Sequence, residues 1–394
     1  MLYCNGFSSL STLGASDEET AINISRGVPC GLRELPGYLP GGESAVLGIL
    51  SCKLPKWRLP LSRCARMLLR CFENILPDVL ECIKRYGADR VGAVVGTSTG
   101  DSSDTEENAR ISFASEGKLD YDERRYERGT LSSFARQFFD IKGPCYSVCT
   151  ACTSSALACI SAAKLIESGI CDAVVVAGAD SLSAVSVQGF YSLGALSKSR
   201  CLPFHKDRSG INIAEGAAAT ILCKENLGHS AMKLLGWGAT SDAYHASSPE
   251  PSGIYGYAAA EAALLKAGLS PIDIGYINAH GTGTQLNDAM EAKIAKLLAK
   301  DMREGKAIPM SSTKHLTGHT LGAAAIVEAY LCFLVFKYGL SLPYHPYAPG
   351  EVDPDFSDIG LVLQDGVKIE YGKAIMSNSF AFGGSNASLI FGAA

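Results

Sequence analysis

Cys152, in the stretch SVCTACTSSALA, stands after a strand-like run and at the expected start of a helix. At such a position the partial positive charge of the helix N-terminus favours thiolate over thiol, which makes a nucleophile. Fourteen cysteines occur in the chain, and any one taken alone is more often a small buried hydrophobe. Position and neighbours separate Cys152 from the rest. Two histidines lie in Gly/Thr-rich turns: His280 in NAHGTGTQLND, directly after a strand-like run, and His319 in SSTKHLTGHTLGAA, directly before a helix. A lone histidine is more often structural, but the chain has only seven, and these two hold strand-to-loop positions typical of sites. A histidine at a helix N-terminus is biased toward its neutral form, which suits donating a hydrogen bond to a developing enolate oxygen.

Three further features border these residues. Glu328 sits in an otherwise apolar helix that begins after His319, and a buried carboxylate needs a partner, for which Lys314 is the obvious cation. Gly383 and Gly384 follow Phe382 in SNSFAFGGSNASLIFG, a pattern that fits either a backbone amide brought close to a ligand or an ordinary hairpin turn. Arg63, Arg66 and Arg70 in LSRCARMLLRC recur at spacings of three and four, so they share one helix face, either a solvated surface or a docking patch.

The elements that must position these groups alternate between strands and helices. Strand-like runs at Arg90 to Val95 and Asp172 to Ala179 flank the Cys152 helix. A second series opens near Lys233 with KLLGWGAT, continues through a helical pattern at Tyr257 to Ala267 and the strand-like IGYINA at 274 to 279, and adds a helix from about Asp288. The alternation predicts an α/β protein with buried strands, and the two series run in the same order. Small side chains pack the helices after Cys152 and after His319, so both are expected at the centre. The boundary between halves is expected at about 224 to 231 (KENLGHSA), giving an N-terminal half 1–228 and a C-terminal half 229–394.

Composition excludes several classes. At 394 residues and 47% hydrophobic, the chain can bury a core in each half. A net charge of −5 argues against a nucleic-acid surface, which must neutralise many phosphates. The N-terminal MLYCNGFSSLSTLG has no charged start followed by an apolar run, so a reducing cytoplasm and free thiols are expected. The apolar stretch Leu321 to Phe336 falls about one residue short of a membrane span and carries Glu328, so it reads as a buried core helix.

Taken together, TACTSS at 150 to 155, NAHGTGT at 278 to 284, SSTKHLTGH at 311 to 319 and NSFAFGGSN at 378 to 386 resemble the β-ketoacyl-acyl carrier protein synthases of the KAS I/II type. The resemblance runs from the N-terminal GFSSLSTLG to the final SLIFG. It implies the thiolase fold, two duplicated βαβαβαββ halves in five α-β-α-β-α layers. It also implies a Cys-His-His set at Cys152, His280 and His319, with the family's lysine at Lys314 and its glutamate at Glu328. Pantetheine contacts fall on Thr282 and Thr284, a gatekeeping phenylalanine on Phe382 beside Gly383, and the oxyanion hole on the amides of Cys152 and Phe382.

The activity so implied is an acyltransferase reaction, the decarboxylative Claisen condensation of an acyl thioester with malonyl-acyl carrier protein. No metal or cofactor is expected beyond the phosphopantetheine carried by the substrate. The resemblance further implies an acyl carrier protein partner docked by Arg63, Arg66 and Arg70. It also implies a homodimer or a heterodimer with a related subunit, with the strand near Asp172 to Ala179 expected beside the twofold axis. INIAEGAA at 211 to 218 departs from the usual FVxGEGAG, and the surrounding RCLPFHKDRSGINIAEGAA resembles synthases of polyketide and aryl-polyene pathways. The alternative from another class is a non-catalytic chain-length-factor subunit, which typically lacks the nucleophile. Thiolases are disfavoured because residues 371 to 394 contain no second cysteine, and KAS III-type enzymes because His319 stands where they carry asparagine.

Overall fold

The computed structural model describes residues 1–27, 30–58, 60–115, 127–300, 302 and 306–394. The first half runs β1 (Leu2–Leu10), α1 (Asp17–Arg26), β2 (Leu32–Leu35), β3 (Ala45–Gly48), α2 (Arg63–Tyr86), β4 (Val91–Gly96), α3 (Ser102–Ala114), α4 (Thr130–Phe139), β5 (Cys145–Val148), α5 (Ser154–Glu167), β6 (Ala173–Asp180), α6 (Ala184–Ser192) and β7 (Gly216–Cys223). The second runs β8 (Met232–Ser241), α7 (Ile254–Ala267), β9 (Ile274–Asn278), α8 (Gln285–Ala299), β10 (Met310–Ser311), α9 (Lys314–Thr317), α10 (Ala324–Tyr338), β11 (Ala374–Phe380) and β12 (Ser385–Ala393). Residues 224 to 231 connect β7 to β8.

Among the described residues the main sheet has the order β10-β9-β11-β12-β8-β1-β7-β6-β4-β5. Read outward from its middle, each half repeats one pattern. In the first, β1 and β7 pair antiparallel, as do β7 and β6, and the outer pairs β6–β4 and β4–β5 are parallel. In the second, β8–β12 and β12–β11 are antiparallel, and β11–β9 and β9–β10 parallel. The halves join where β1 meets β8, at Leu2 opposite Leu234 and Tyr3 opposite Lys233. This is the duplication expected of the thiolase fold.

Burial explains the layering. Both faces of β6 are covered: Val174 and Val176 enter the central core, while Ala173, Val175, Ala177 and Ala179 enter the core beneath α2 and α4. Such a strand reads as a continuous apolar run because neither face meets water. The helices α5 and α10 touch each other and strands of both halves, so they form the middle layer. A third core under α7 and α8 completes five layers. The window Leu321–Tyr338 is apolar and long enough for a membrane by composition, but 83% of it is buried in the protein.

One premise is overturned, that the strand at Asp172 to Ala179 is an open edge. This strand, expected beside a twofold axis because an open apolar edge invites pairing, is β6, hydrogen-bonded on both sides by β4 and β7. The sheet's free edge on this half is β5, whose residues are partly exposed.

Candidate active site

Cys152 lies in a turn between β5 and α5. Ala151 before it holds a left-handed backbone at φ 51°, uncommon for a residue with a side chain. Thr153 anchors the turn, donating its hydroxyl to Thr150 O at 2.7 Å, with Ser385 Oγ of β12 2.9 Å away. The helix begins at Ser154, so Cys152 sits just ahead of its first turn. Backbone N–H groups of Phe382 and of Cys152 itself are directed at the sulfur.

The two histidines arrive from the other half. His319 Nε2 is 3.1 Å from Cys152 Sγ. Its Nδ1 accepts the Leu321 N–H at 3.2 Å, which places the ring proton on Nε2, facing the sulfur. His280 follows β9 on a loop gripped by Glu291 of α8, which accepts the N–H groups of His280 at 2.8 Å and Gly281 at 2.6 Å. The two imidazoles meet edge to face with centroids 5.3 Å apart, and one donor atom each from Cys152, His280 and His319 all lie within 4.8 Å of one another. Such a trio is tight enough to hold a metal ion as well as a single carbonyl oxygen.

Charge and burial set the protonation states. Burial, reinforced by the nearby Lys314 charge, pushes both His280 and His319 well below the usual histidine range, so both are neutral. Desolvation also drives the Cys152 thiol up to about 12, against the opposing pull of Lys314 and the two backbone amides. The helix-terminus argument for a resting thiolate is thereby corrected: burial outweighs the dipole, and the free site holds a thiol. Lys314 and Glu328 are both buried and ion-paired with each other, as their placement in the sequence predicted. Burial still holds the Glu328 carboxyl above its ordinary range, and its second oxygen has no hydrogen-bond partner among the described residues.

A cavity of about 250 Å³ opens over these groups, lined by Cys152, His280, His319, Thr282, Thr284 and Phe382 among others. The hydroxyls of Thr282 and Thr284 are 2.9 Å apart on its wall. A second cavity of about 420 Å³ lies along α6, and it shares Cys152, Phe190, Leu193 and Phe382 with the first. Phe382 therefore stands between two chambers, its ring 5.4 Å from that of Phe190. Gly383 and Gly384 behind it hold φ of 85° and 78°, a region that side chains disfavour.

Residues 53–227 match the β-ketoacyl synthase N-terminal domain, and residues 231–347 the β-ketoacyl synthase C-terminal domain. A chain of the complex of the ketosynthase ApeO with its chain length factor ApeC from Xenorhabdus doucetiae superposes with a TM-score of 0.92 at 39% identity, covering 100% of this chain and 98% of that one. The chain belongs to the β-ketoacyl synthase family. The mitochondrial 3-oxoacyl-[acyl-carrier-protein] synthase of Arabidopsis thaliana is 35% identical over 64% of this chain and 57% of its own length. For 3-oxoacyl-[acyl-carrier-protein] synthase 2 of Staphylococcus aureus the identity is 35%, over 64% and 62%. The matches thus span less than two thirds of these curated relatives.

The arginine face of α2 differs from expectation. Arg63 sends Nε and Nη2 to the buried Glu215, each at 2.5 Å, and Arg66 donates to the carbonyls of Pro55 at 3.0 Å and Leu54 at 3.1 Å. Two of the three cations are therefore tied to their own chain, and Arg70 is the exposed one.

Sequence reasoning passed over other site residues. Asp180 at the end of β6 accepts from Thr97 and from Ser98, Thr99 and Gly322, clamping the turn after β4 to the turn after His319. The signal was present as an aspartate closing an apolar strand. Glu291 and Asp288, three apart on α8, both face the His280 loop, with Asp288 accepting the Gly283 N–H at 3.2 Å. Phe190 carried no recognisable signal.

Proposed function

We propose that this chain is a β-ketoacyl-acyl carrier protein synthase that condenses an acyl thioester with malonyl-acyl carrier protein to give 3-oxoacyl-acyl carrier protein. The observation that carries this reading is the convergence of one thiol and two neutral imidazoles within 4.8 Å at the meeting of two chambers.

In the first half-reaction the Cys152 sulfur attacks the thioester carbonyl, and the amides of Cys152 and Phe382 hold the oxyanion. The pantetheine thiol leaves with the proton that Cys152 gives up, so no net charge is created. The lowered thiol acidity of the free site makes the protonated nucleophile its resting form, so the proton leaves sulfur as the carbon–sulfur bond forms. In the second half-reaction the malonyl thioester oxygen occupies the space between His280 and His319. Carbon dioxide leaves, and the electron pair it releases becomes an enolate that Nε2–H of His319 and the His280 ring stabilise. The enolate carbon attacks the acyl-cysteine, a carbon–carbon bond forms, the carbon–sulfur bond breaks, and the freed thiolate takes up one proton from solvent. Thioester exchange and decarboxylation proceed with these groups alone, so no cofactor is part of the proposal.

The two chambers divide the labour. The one bordered by Thr282 and Thr284 takes the pantetheine arm, and the one along α6 takes the acyl chain past Phe382. Val185 and Leu193 on this second wall are 69% and 56% exposed, which supports a second subunit, identical or related, covering α6 and the free edge of β5. The similar complex, a ketosynthase with its chain length factor, lends weight to a related partner and a polyketide or aryl-polyene setting. A cytoplasmic location fits fourteen free cysteines.

Intact-protein mass spectrometry after incubation with acyl-carrier proteins, followed by malonyl-carrier protein, tests the assignment. Acyl mass should appear on Cys152 and then transfer to a 3-oxoacyl product; absence of loading across a panel of chain lengths would remove the enzymatic reading and leave a pocket-shaping subunit.

A further inference from the structure

Ser312 touches neither Cys152 nor either cavity, yet all of its polar groups are engaged between the two strips of chain that carry the site. Its hydroxyl donates to Gly281 O at 2.6 Å and accepts the Lys314 N–H at 3.2 Å. Its backbone N–H donates to His345 Nε2 at 3.1 Å, and its carbonyl accepts from His315 Nδ1 at 2.9 Å. Ser312, His315 and His345 are all buried.

The consequence is geometric. Gly281 is the residue after His280, and Lys314 opens the short helix that leads to His319. One hydroxyl thus fixes the spacing of the two segments that deliver the imidazoles and the buried ammonium. The approach is close: a Cβ on Gly281, whose φ is +39°, would lie 2.4 Å from the Ser312 Cβ. Behind Ser312, His345 accepts through Nε2, so its proton is on Nδ1, and it hangs from the 340–347 strap by its own N–H to Val362 O at 2.9 Å. His345 lies on a segment remote in sequence from all four motifs.

We propose that Ser312, seated on His345, is a positioning residue that sets the separation of His280 from Lys314 and His319 and so governs the decarboxylation half-reaction. This rests on the condensing activity proposed above. The Ser312→Ala change removes both hydroxyl bonds and leaves Gly281 O and Lys314 N without those partners, freeing the His280 loop to drift relative to Lys314. Cys152, its turn and the amides facing its sulfur are untouched.

The test compares two readouts per active site. Sites are counted by iodoacetamide alkylation localised to Cys152 by peptide mass spectrometry, because Cys30 and Cys149 are exposed cysteines, and decarboxylation of malonyl-carrier protein is measured on the same preparation. For Ser312→Ala the expected result is full, parental-rate labelling with decarboxylation kcat per labelled site lowered roughly 10- to 100-fold, the cost of small misplacements at a reacting centre, and little change in KM. Equal loss of both activities, or a parental decarboxylation rate, would overturn the proposal alone. Failure of the parental protein to decarboxylate would overturn the proposed function and the proposal with it. Should Ser312→Ala not fold, His345→Gln and His345→Ala carry the same test. Gln retains an acceptor for the Ser312 N–H and should hold the rate better than Ala; equal rates would overturn the proposal.

Discussion

His319 reaches Cys152 through the only ring nitrogen its own backbone leaves available, since Nε2 lies 3.1 Å from Sγ while Nδ1 accepts the Leu321 N–H. That arrangement makes it a donor toward sulfur and toward any oxygen that replaces the contact, and a poor acceptor for the thiol proton. His319→Ala and His280→Ala should therefore slow decarboxylation by an amount equivalent to about 3 to 4 kcal/mol, the scale of a deleted oxyanion donor. Single-turnover acyl loading of Cys152 should fall less. A loading defect as large as the decarboxylation defect would assign His319 to proton abstraction instead.

Cys152→Ala should abolish acyl loading while leaving the far-UV spectrum and thermal midpoint near parental, because a small residue fits the same tight turn. Intact mass after exposure to acyl-carrier protein reads the first quantity directly. Any acyl adduct surviving on this variant would place the nucleophile elsewhere among the thiols.

The pH dependence of Cys152 follows from its burial. Since its acidity is shifted up to about 12 in the folded protein, the thiolate fraction grows through the whole neutral and mildly alkaline range. Alkylation by a small uncharged reagent should climb about tenfold per pH unit with no plateau up to about pH 10. The Lys314 charge opposes that shift, so Lys314→Met should slow alkylation at fixed pH. A plateau near neutrality in the parental protein would show a resting thiolate.

Lys314 and Glu328 are paired at 1% and 2% side-chain exposure. Lys314→Ala should cost about 3 to 5 kcal/mol of stability in denaturant titration, since it leaves a buried carboxylate uncompensated. Replacing both, as Lys314→Met with Glu328→Leu, should recover much of that stability without restoring condensation. Recovery of both together would mean that the pair serves packing only.

Arg63 and Arg70 should separate cleanly. Arg63→Ala strands the Glu215 carboxylate, 1% exposed, and should lower stability by about 1 to 3 kcal/mol. Arg70→Glu should leave stability and Cys152 alkylation unchanged while raising the KM for acyl carrier protein at low salt, an effect that salt suppresses. An unchanged KM would remove this helix from the docking surface.

The sequence by itself marked out the residues that the fold brings together around Cys152. Cys152, His280, Lys314 and His319 were legible because each sits in a short stretch whose glycines, threonines and small residues serve the local backbone, and Glu328 because it is a lone carboxylate in an apolar helix. The duplicated α/β order was legible because β-branched runs alternate with helical ones. Tertiary structure decided what depends on partners far along the chain. An apolar run such as β6 suits an edge or an interior equally, and only the docking of β4 and β7 on its two sides made it interior. Arg63 looked like a free cation until folding brought Glu215, 152 residues away, against it. Phe190 became the counterpart of Phe382 only when α6 packed beside the C-terminal hairpin. The protonation state of Cys152 belongs here too: helix position is local, but desolvation depends on every segment that closes over the sulfur, and in this fold desolvation is the larger effect.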